Sequence, residues 1–438
     1  VVNGAAPPRP SLAATFLQPR VLVMASLGFA SGLPYAVANE TSGLLLADLK
    51  VDRTAIGLLG AIAGIYSFKF LWSPLVDARP VPGLGFLGLR RSWLVATQLP
   101  LVLLVALLGT LAPAGAEAGT LAFGMAIALL TFLSATQDIT VNAWTIDSFP
   151  RRELGIGTAA SVAGYRVALL AGGSLAPIVA GLAGWNAAFL FLAGLMAVGL
   201  VTSLAAREPD LDGDRPASAP GLAALAEPVR EFLAFAGRRL VPVALFVLLF
   251  RLPDQLANAM QKPFLLEELG YSKEQYGVIR NALGIGATLV GAAIGGGLVA
   301  RFGLVRALLA CGVAQAASNL GFVWLATGEG AGGQALPWSS PAMVSLGAVA
   351  LVESLSGGMV ATAFVAWLMS LCSRRFAATQ YALLTGLVAV SQSIASGISG
   401  PLSKDLGWLA FFLATVAVAA PGLALIRPAA RAVRPEAD

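Results

Sequence analysis

Leu44 to Gly57 reads LLLADLKVDRTAIG, and Phe264 to Gly277 reads FLLEELGYSKEQYG. Each stretch ends one apolar run, turns through acidic and basic residues, and opens the next run at a glycine. They lie 220 residues apart in a chain of 438. A second pair recurs at an offset of 223: Ala143-Trp144 leads to Arg151-Arg152, and Ala366-Trp367 leads to Arg374-Arg375. A chain that repeats its turns at half its own length reads as two related halves, each with the same succession of apolar runs.

Working outward from these turns, apolar runs of about 20 residues or more recur along the whole chain, long enough to cross a bilayer as helices. They fall near 20–46, 54–76, 91–112, 119–147, 155–183 and 185–206, and then near 239–266, 273–300, 303–327, 339–372, 376–402 and 406–427. Hydrophobic residues make up 57% of the chain and charged residues 12%, with a mean hydropathy of +0.80. A soluble domain carries about 25% charged residues, so there is too little polar surface here for a water-facing shell. The expected fold is all-α integral membrane, with about twelve transmembrane helices in two six-helix halves. The expected division is a flexible N-terminal tail 1–19, a six-helix bundle 20–206, a linker 207–238, a second bundle 239–427 and a tail 428–438. Val1 to Ser11 has no apolar core of its own and does not read as a cleavable signal.

An even number of crossings puts both termini on one side. On that side, with the central linker, fall 19 Lys and Arg residues, among them Arg90, Arg91, Arg151, Arg152, Arg374 and Arg375; Lys50, Arg53, Lys273 and Lys404 alone fall on the other. Positive loops stay in the cytoplasm, so both termini and the linker are expected there, in a bacterial inner membrane. The same bias accounts for the net charge of +5 without a nucleic-acid partner.

Histidine is absent, which excludes Ser-His-Asp and Cys-His chemistry and the usual proton shuttle. The two cysteines, Cys311 and Cys372, sit in apolar helical segments with no ligand spacing. Asp210, Asp212 and Asp214 resemble a calcium loop, but Arg215 stands where its glycine belongs. No metal, cofactor or catalytic residue is expected, and the chain does not read as an enzyme.

What remains are ionisable side chains deep in apolar runs, each costing roughly 2.5–3.5 kcal/mol on insertion scales. Glu40, Lys69, Asp138, Asp147, Arg166, Arg251, Asp254, Lys262, Arg280 and Glu353 together imply a wet, charged space inside the bundle. Asp138 lies in SATQDITVNAW with Asn142 at i+4 on the same helix face and Gln137 beside it. Asp147 lies near the basic end, and an ion pair there suits its position. Lys69 and Arg166 are cations that either dock an anionic solute or pair with Asp138 or Asp147. Arg251 and Asp254 are three apart and can neutralise each other. Without histidine, any proton coupling falls to carboxylates: Asp138, Asp254 and Glu353 are the candidates, because alternating access needs a group charged towards one side and neutral towards the other.

FLQPR at 16–20, GFASGLP at 28–34, FKFLWSPLVD at 68–77, RRSWLVATQ at 90–98, SATQDI at 134–139 and SVAGYR at 161–166 carry a closer likeness. So do ESLSGGMVATAFVAWLMSLC at 353–372 and ATQYALL at 378–384. Over 16–427 the chain resembles the AmpG muropeptide permeases of the major facilitator superfamily. The resemblance implies proton-driven import of N-acetylglucosaminyl-1,6-anhydro-N-acetylmuramic acid, with or without a peptide, from periplasm to cytoplasm for peptidoglycan recycling. Gln137, Asn142, Lys69, Arg166, Tyr35 and Trp144 are then the expected substrate-binding residues. The loop from Asp77 to Arg91 resembles the superfamily's gating loop, which assigns gating to Asp77, Arg90, Arg91, Asp147, Arg151 and Arg152. Two positions depart from the family pattern: Asn142 stands where a second Asp is usual, and Glu40 where a small or neutral residue is. The expected partners are a glycopeptide, protons and lipid, with the chain a monomer.

Another solute, such as an acetyl-CoA-like anion or a drug, is the alternative within transport. A membrane enzyme acting on lipid-linked sugars would place acids or metal ligands in long loops, which this chain lacks. A sensor or assembly protein would not need charged stripes inside both halves.

Overall fold

The computed structural model describes residues 17–49, 63–111, 117–210, 221–328, 337–338 and 340–431. The start of the second expected span, with Lys50 and Arg53, lies outside them, as do Asp212, Asp214 and the distal tails; the side chains of Lys273 and Arg280 are likewise outside the description.

Among the described residues every regular element is helical, and nine helical stretches are long and apolar enough to cross a membrane. Two of these, Leu154–Ala205 with 52 residues and Arg374–Ala430 with 57, are about 80 Å long at 1.5 Å per residue, more than twice the hydrocarbon thickness. Each is broken by a glycine in the left-handed region, Gly184 (φ 85°) and Gly407 (φ 74°). Each is therefore two crossings joined by a tight turn. Residues 63–78, a 3-10 helix Ala63–Leu71 followed by Ser73–Ala78, make a further, partly described segment. In chain order the segments are α1 (Pro19–Leu46), α2 (63–78), α3 (Leu89–Leu108), α4 (Glu117–Ser148), α5 (154–183) and α6 (185–205). The second set is α7 (240–268), α8 (273–302), α9 (Leu304–Ala326), α10 (Pro341–Leu371), α11 (377–406) and α12 (408–430). A separate amphipathic helix, Ala226–Ala236, precedes α7.

Leu103, Leu182, Val290 and Val344 are exposed on the outer faces, a surface that lipid rather than water would cover. Without a hydrophobic drive between helices in lipid, close backbone approach holds them together. The α1–α5 crossing is the tightest: a Cβ on Gly28 would stand 2.1 Å from Ser161 O, and one on Gly164 1.9 Å from Ala25 O. The small-residue step at Gly28 and Gly32 lies on this seam, since Gly32 meets Tyr165 in the same way.

The buried apolar side chains form three cores, and their membership defines the shape. One contains Val21, Met24, Trp144 and Phe149 from the first half together with Phe246, Val299, Trp367 and Tyr381 from the second. A second draws only on the first half, around Leu33, Leu130 and Phe189. The third draws only on the second half, around Leu256, Phe322 and Phe412. The halves share one core at the end that carries the basic loops and keep separate cores at the other.

Candidate functional site

At the shared end, Arg90 opens α3 and is 1% exposed. Its Nε donates to Asp147 Oδ2 at 2.8 Å, and its Nη1 and Nη2 donate to Asp77 Oδ1 at 3.1 Å. Asp77 then reaches across the halves. It accepts from the backbone N–H groups of Ala378 (3.1 Å) and Thr379 (2.8 Å) and from Thr379 Oγ1 (2.8 Å). Those amides begin α11 and have no partner inside their own helix, so a carboxylate from the opposite half caps them and meets the positive end of the helix dipole. One guanidinium and one helix start hold two buried carboxylates. Nearby, Thr158 of α5 donates to Met369 Sδ of α10 at 3.7 Å.

Arg91 donates to Ser203 O and Leu204 O at the end of α6, staying within its half. Arg151 and Arg152 lie in the turn between α4 and α5; the cation that bonds Asp147 is Arg90, supplied by α3. The linker helix adds a clasp: Glu227 pairs with Arg375 at 2.9 Å, and Glu231 accepts from Ser373 and Gln380.

Inside the first half, Lys69 of α2 pairs with Asp138 Oδ2 of α4 at 2.5 Å, and Ser31 of α1 donates to Asp138 Oδ1 at 3.0 Å. Lys69 thus takes the bundle-partner role, one of the two its position left open. One turn earlier on α4, Ser134 bonds the Tyr66 hydroxyl. Tyr66 also packs against Tyr35, which in turn packs against Tyr165, with ring centroids 5.8 and 6.0 Å apart.

The remaining stripe residues turn away. Asn142 donates to the backbone carbonyl of Asp138 at 2.7 Å, the usual i−4 back-bond of a short polar side chain. Gln137 is fully buried, and neither amide atom has a partner among the described residues. Trp144, expected to bind substrate, is 3% exposed and packs in the shared core at the closed end.

Between the halves, away from the shared core, lies a cavity of about 650 Å³, within the range of small-molecule sites. Among the described residues, Glu40 and Arg166 of the first half and Arg251 and Glu353 of the second are the charged side chains in its lining. Asn39, Asn258, Ser174, Ser354 and Tyr276 add neutral hydrogen-bonding groups. Of the expected substrate residues, Arg166 is in this lining; Lys69, Gln137, Asn142, Tyr35 and Trp144 are not. Arg251 pairs with Asp254 at 3.3 Å. Asp254 is buried behind the cavity wall, beside Gln315 and a space the size of one water. Ser354 Oγ donates to Glu353 Oε2 at 3.5 Å.

Residues outside the expected site set thus contribute: Ser31, Tyr66, Glu40 and Arg251. The last two carry a readable signal, being charges deep in apolar runs. Tyr66 stands one 3-10 turn before Lys69, which places both on the face that meets α4.

Polar groups gathered at a cavity of small-molecule size between two helical halves, with a carboxylate-capped closure at one end, have the form of a multi-pass membrane transporter. The Major Facilitator Superfamily signature matches residues 21–396. The anhydromuropeptide permease of Escherichia coli K12 is 38% identical over 412 residues, covering 94% of this chain and 80% of that one. A putative transporter AmpG 4 of Rickettsia conorii is 30% identical, covering 91% of this chain and 94% of that one. Two solved structures share the fold: the transporter FucP in the outward conformation (TM-score 0.64, 12% identity, 94% and 99% covered) and an outward-facing bacterial homologue of ferroportin (0.62, 15%, 94% and 100%). The chain belongs to the Major Facilitator Superfamily and, within it, to the AmpG family of permeases.

Proposed function

We propose that this protein imports anhydromuropeptides from periplasm to cytoplasm, driven by protons, across the bacterial inner membrane. What carries the reading is the polar cavity between the halves, with charges of both signs among its described lining residues, in a chain 38% identical to an anhydromuropeptide permease. A muropeptide is rich in hydroxyl, acetamido and carboxylate groups. Asn, Ser and Tyr side chains in the lining match the first two, and Arg166 and Arg251 match the third.

The basic loops at the closed end support a cytoplasmic closed end and a periplasmic cavity mouth. In that orientation the cavity is loaded from outside. Inward opening must then break the contacts of Asp77 with the start of α11, while Arg90 holds Asp77 and Asp147 together within the first half, which makes Asp77, Arg90 and Asp147 the gate. Asp138 and Glu353 take the proton, with Asp254 the inner relay. Asp138 exchanges between a proton and Lys69 as counter-charge, and Glu353 faces the cargo space directly. Both would be neutral in one state and charged in the other.

The test is uptake of labelled anhydro-disaccharide by cells lacking their own permease. Accumulation on expression of this chain supports the reading. Failure to take up the disaccharide, with the protein present in the membrane, removes it.

A further inference from the structure

We propose that Tyr35, Tyr66 and Tyr165 form a floor beneath the cavity between the halves, and that this floor is the subsite that takes a sugar ring of the cargo. It rests on the muropeptide reading above and names the part of that cargo the first half grips.

Two helix faces lead to the floor. On α5 the described lining includes Leu169 and Gly173. Tyr165 stands one turn before Leu169 on that face, nearer the closed end. On α1 the described lining includes Asn39 and Gly43. Tyr35 stands one turn before Asn39, whose Nδ2 donates to Tyr35 O at 3.0 Å. Glycine at position 32 lets the two helices close up here: a Cβ on Gly32 would stand 2.7 Å from Tyr165 O. The approach brings the rings of Tyr35 and Tyr165 together, with centroids 6.0 Å apart. Tyr66 of α2 completes the layer. Its ring meets Tyr35 edge-on at 5.8 Å and 81°, and its hydroxyl bonds Ser134 of α4. One turn deeper on α2 and α4 lies the Lys69–Asp138 pair.

The chemistry of the layer matches a sugar. A pyranose presents a face of C–H groups rimmed by hydroxyls, and a tyrosine presents an apolar ring with a polar tip. Small-molecule sites combine aromatic walls with a few placed polar groups in this way. Helix packing alone would be served by apolar rings, because a phenol hydroxyl without a partner costs desolvation. All three tyrosines are half-buried rather than sealed. Ser134 holds the Tyr66 hydroxyl, whereas among the described residues no hydrogen bond holds that of Tyr35 or Tyr165. Those two hydroxyls can turn to a sugar hydroxyl or to an acetamido carbonyl.

The experiment uses the full chain in proteoliposomes with labelled anhydro-disaccharide, a cargo that has rings and no peptide. Tyr35→Leu and Tyr165→Leu keep an apolar side chain and remove the ring. Each is expected to raise KM about tenfold with kcat within about twofold, the pattern of a lost binding contact. Tyr165→Phe keeps the ring and should stay within about threefold of the wild-type KM. A purely structural role would instead lower kcat or the amount of protein in the membrane. The native protein gives a second readout that needs no variant and decides the matter if the leucine variants are not recovered. Saturating anhydro-disaccharide should slow nitration of Tyr35 and Tyr165 by tetranitromethane, read by mass spectrometry, and the free stem tripeptide should not. Unchanged KM in both leucine variants overturns the proposal, and so does nitration that the disaccharide leaves unchanged or that the tripeptide slows equally. Failure of the wild type to take up the disaccharide overturns the muropeptide reading itself, an outcome distinct from uptake with unchanged KM.

Discussion

The two ends of the bundle are made of the same kinds of helix and are held in opposite ways. At the basic end one apolar core runs through both halves, and Asp77 of the first half caps the helix that opens at Ala377 in the second. At the other end each half keeps its own core, and Arg251 of the cavity wall pairs with Asp254 of its own half. The lesson is where a conformational change has to work. Opening the closed end takes a desolvated carboxylate off the helix start it caps, whereas the described cores at the open end lie within each half.

The sharpest way to break this contrast is Arg90→Ala. Removing one partner of a buried pair costs about 3–5 kcal/mol, because the remaining charge stays desolvated, and here two carboxylates are left. The closed end should no longer hold. In a background with Cys311 and Cys372 replaced, Thr158→Cys and Met369→Cys should cross-link in the otherwise native protein and lose most of that cross-link with Arg90→Ala. Retention of the cross-link would show that the shared apolar core alone seals this end.

Asp138→Asn acts away from the seal and should separate mechanism from closure. It leaves Lys69, buried beside Asp138, without its counter-charge. Accumulation should be abolished at normal membrane levels while the 158–369 cross-link persists. Wild-type uptake by this variant would reduce Asp138 to packing.

Glu353→Gln keeps a hydrogen-bonding group in the cavity but removes the titratable one. Counterflow, which needs binding and reorientation without a gradient, should survive, and gradient-driven accumulation should be lost. Concentration of cargo by Glu353→Gln under a proton gradient would remove Glu353 from coupling.

The smallest effect is expected at Glu227, whose pair with Arg375 is half-exposed, 40% and 45%. Such pairs contribute about 0–1 kcal/mol, so Glu227→Gln should change transport rate by no more than about fivefold. A larger loss would make the linker helix a lock rather than a clasp.

How far the sequence reaches can be seen at particular residues. Runs of about 20 apolar residues were legible because a bilayer fixes helix length; the gap between 155–183 and 185–206 falls at the turn of Gly184, whereas the break expected at 403–405 falls just short of the turn at Gly407. The buried charges were legible one by one. Their partners were not: Lys69 and Asp138 are 69 positions apart, and either of two roles suited the cation until the fold joined them. Asp77 was marked as gating by resemblance, yet what it caps is the backbone of Ala378 and Thr379, which no side-chain pattern records. Trp144 misled because six residues along a helix is a rotation of about 240° from Asp138, which turns it into the core. Asn142 shares the face of Asp138 but spends its amide on that residue's own carbonyl. Glu40 and Arg251 stood out as costly charges, and only the meeting of the two halves around one cavity gave them a common purpose.

Proton-driven uptake of an anhydromuropeptide is the proposal on which the roles given to Asp138, Glu353 and Asp77 depend. The direct measurement is accumulation of labelled anhydro-disaccharide in proteoliposomes holding the full chain, with an imposed proton gradient, with and without a protonophore. The account predicts concentrative uptake that collapses to equilibration when the protonophore is added. Accumulation that persists with the gradient dissipated, or no uptake at all with the gradient in place, would contradict it.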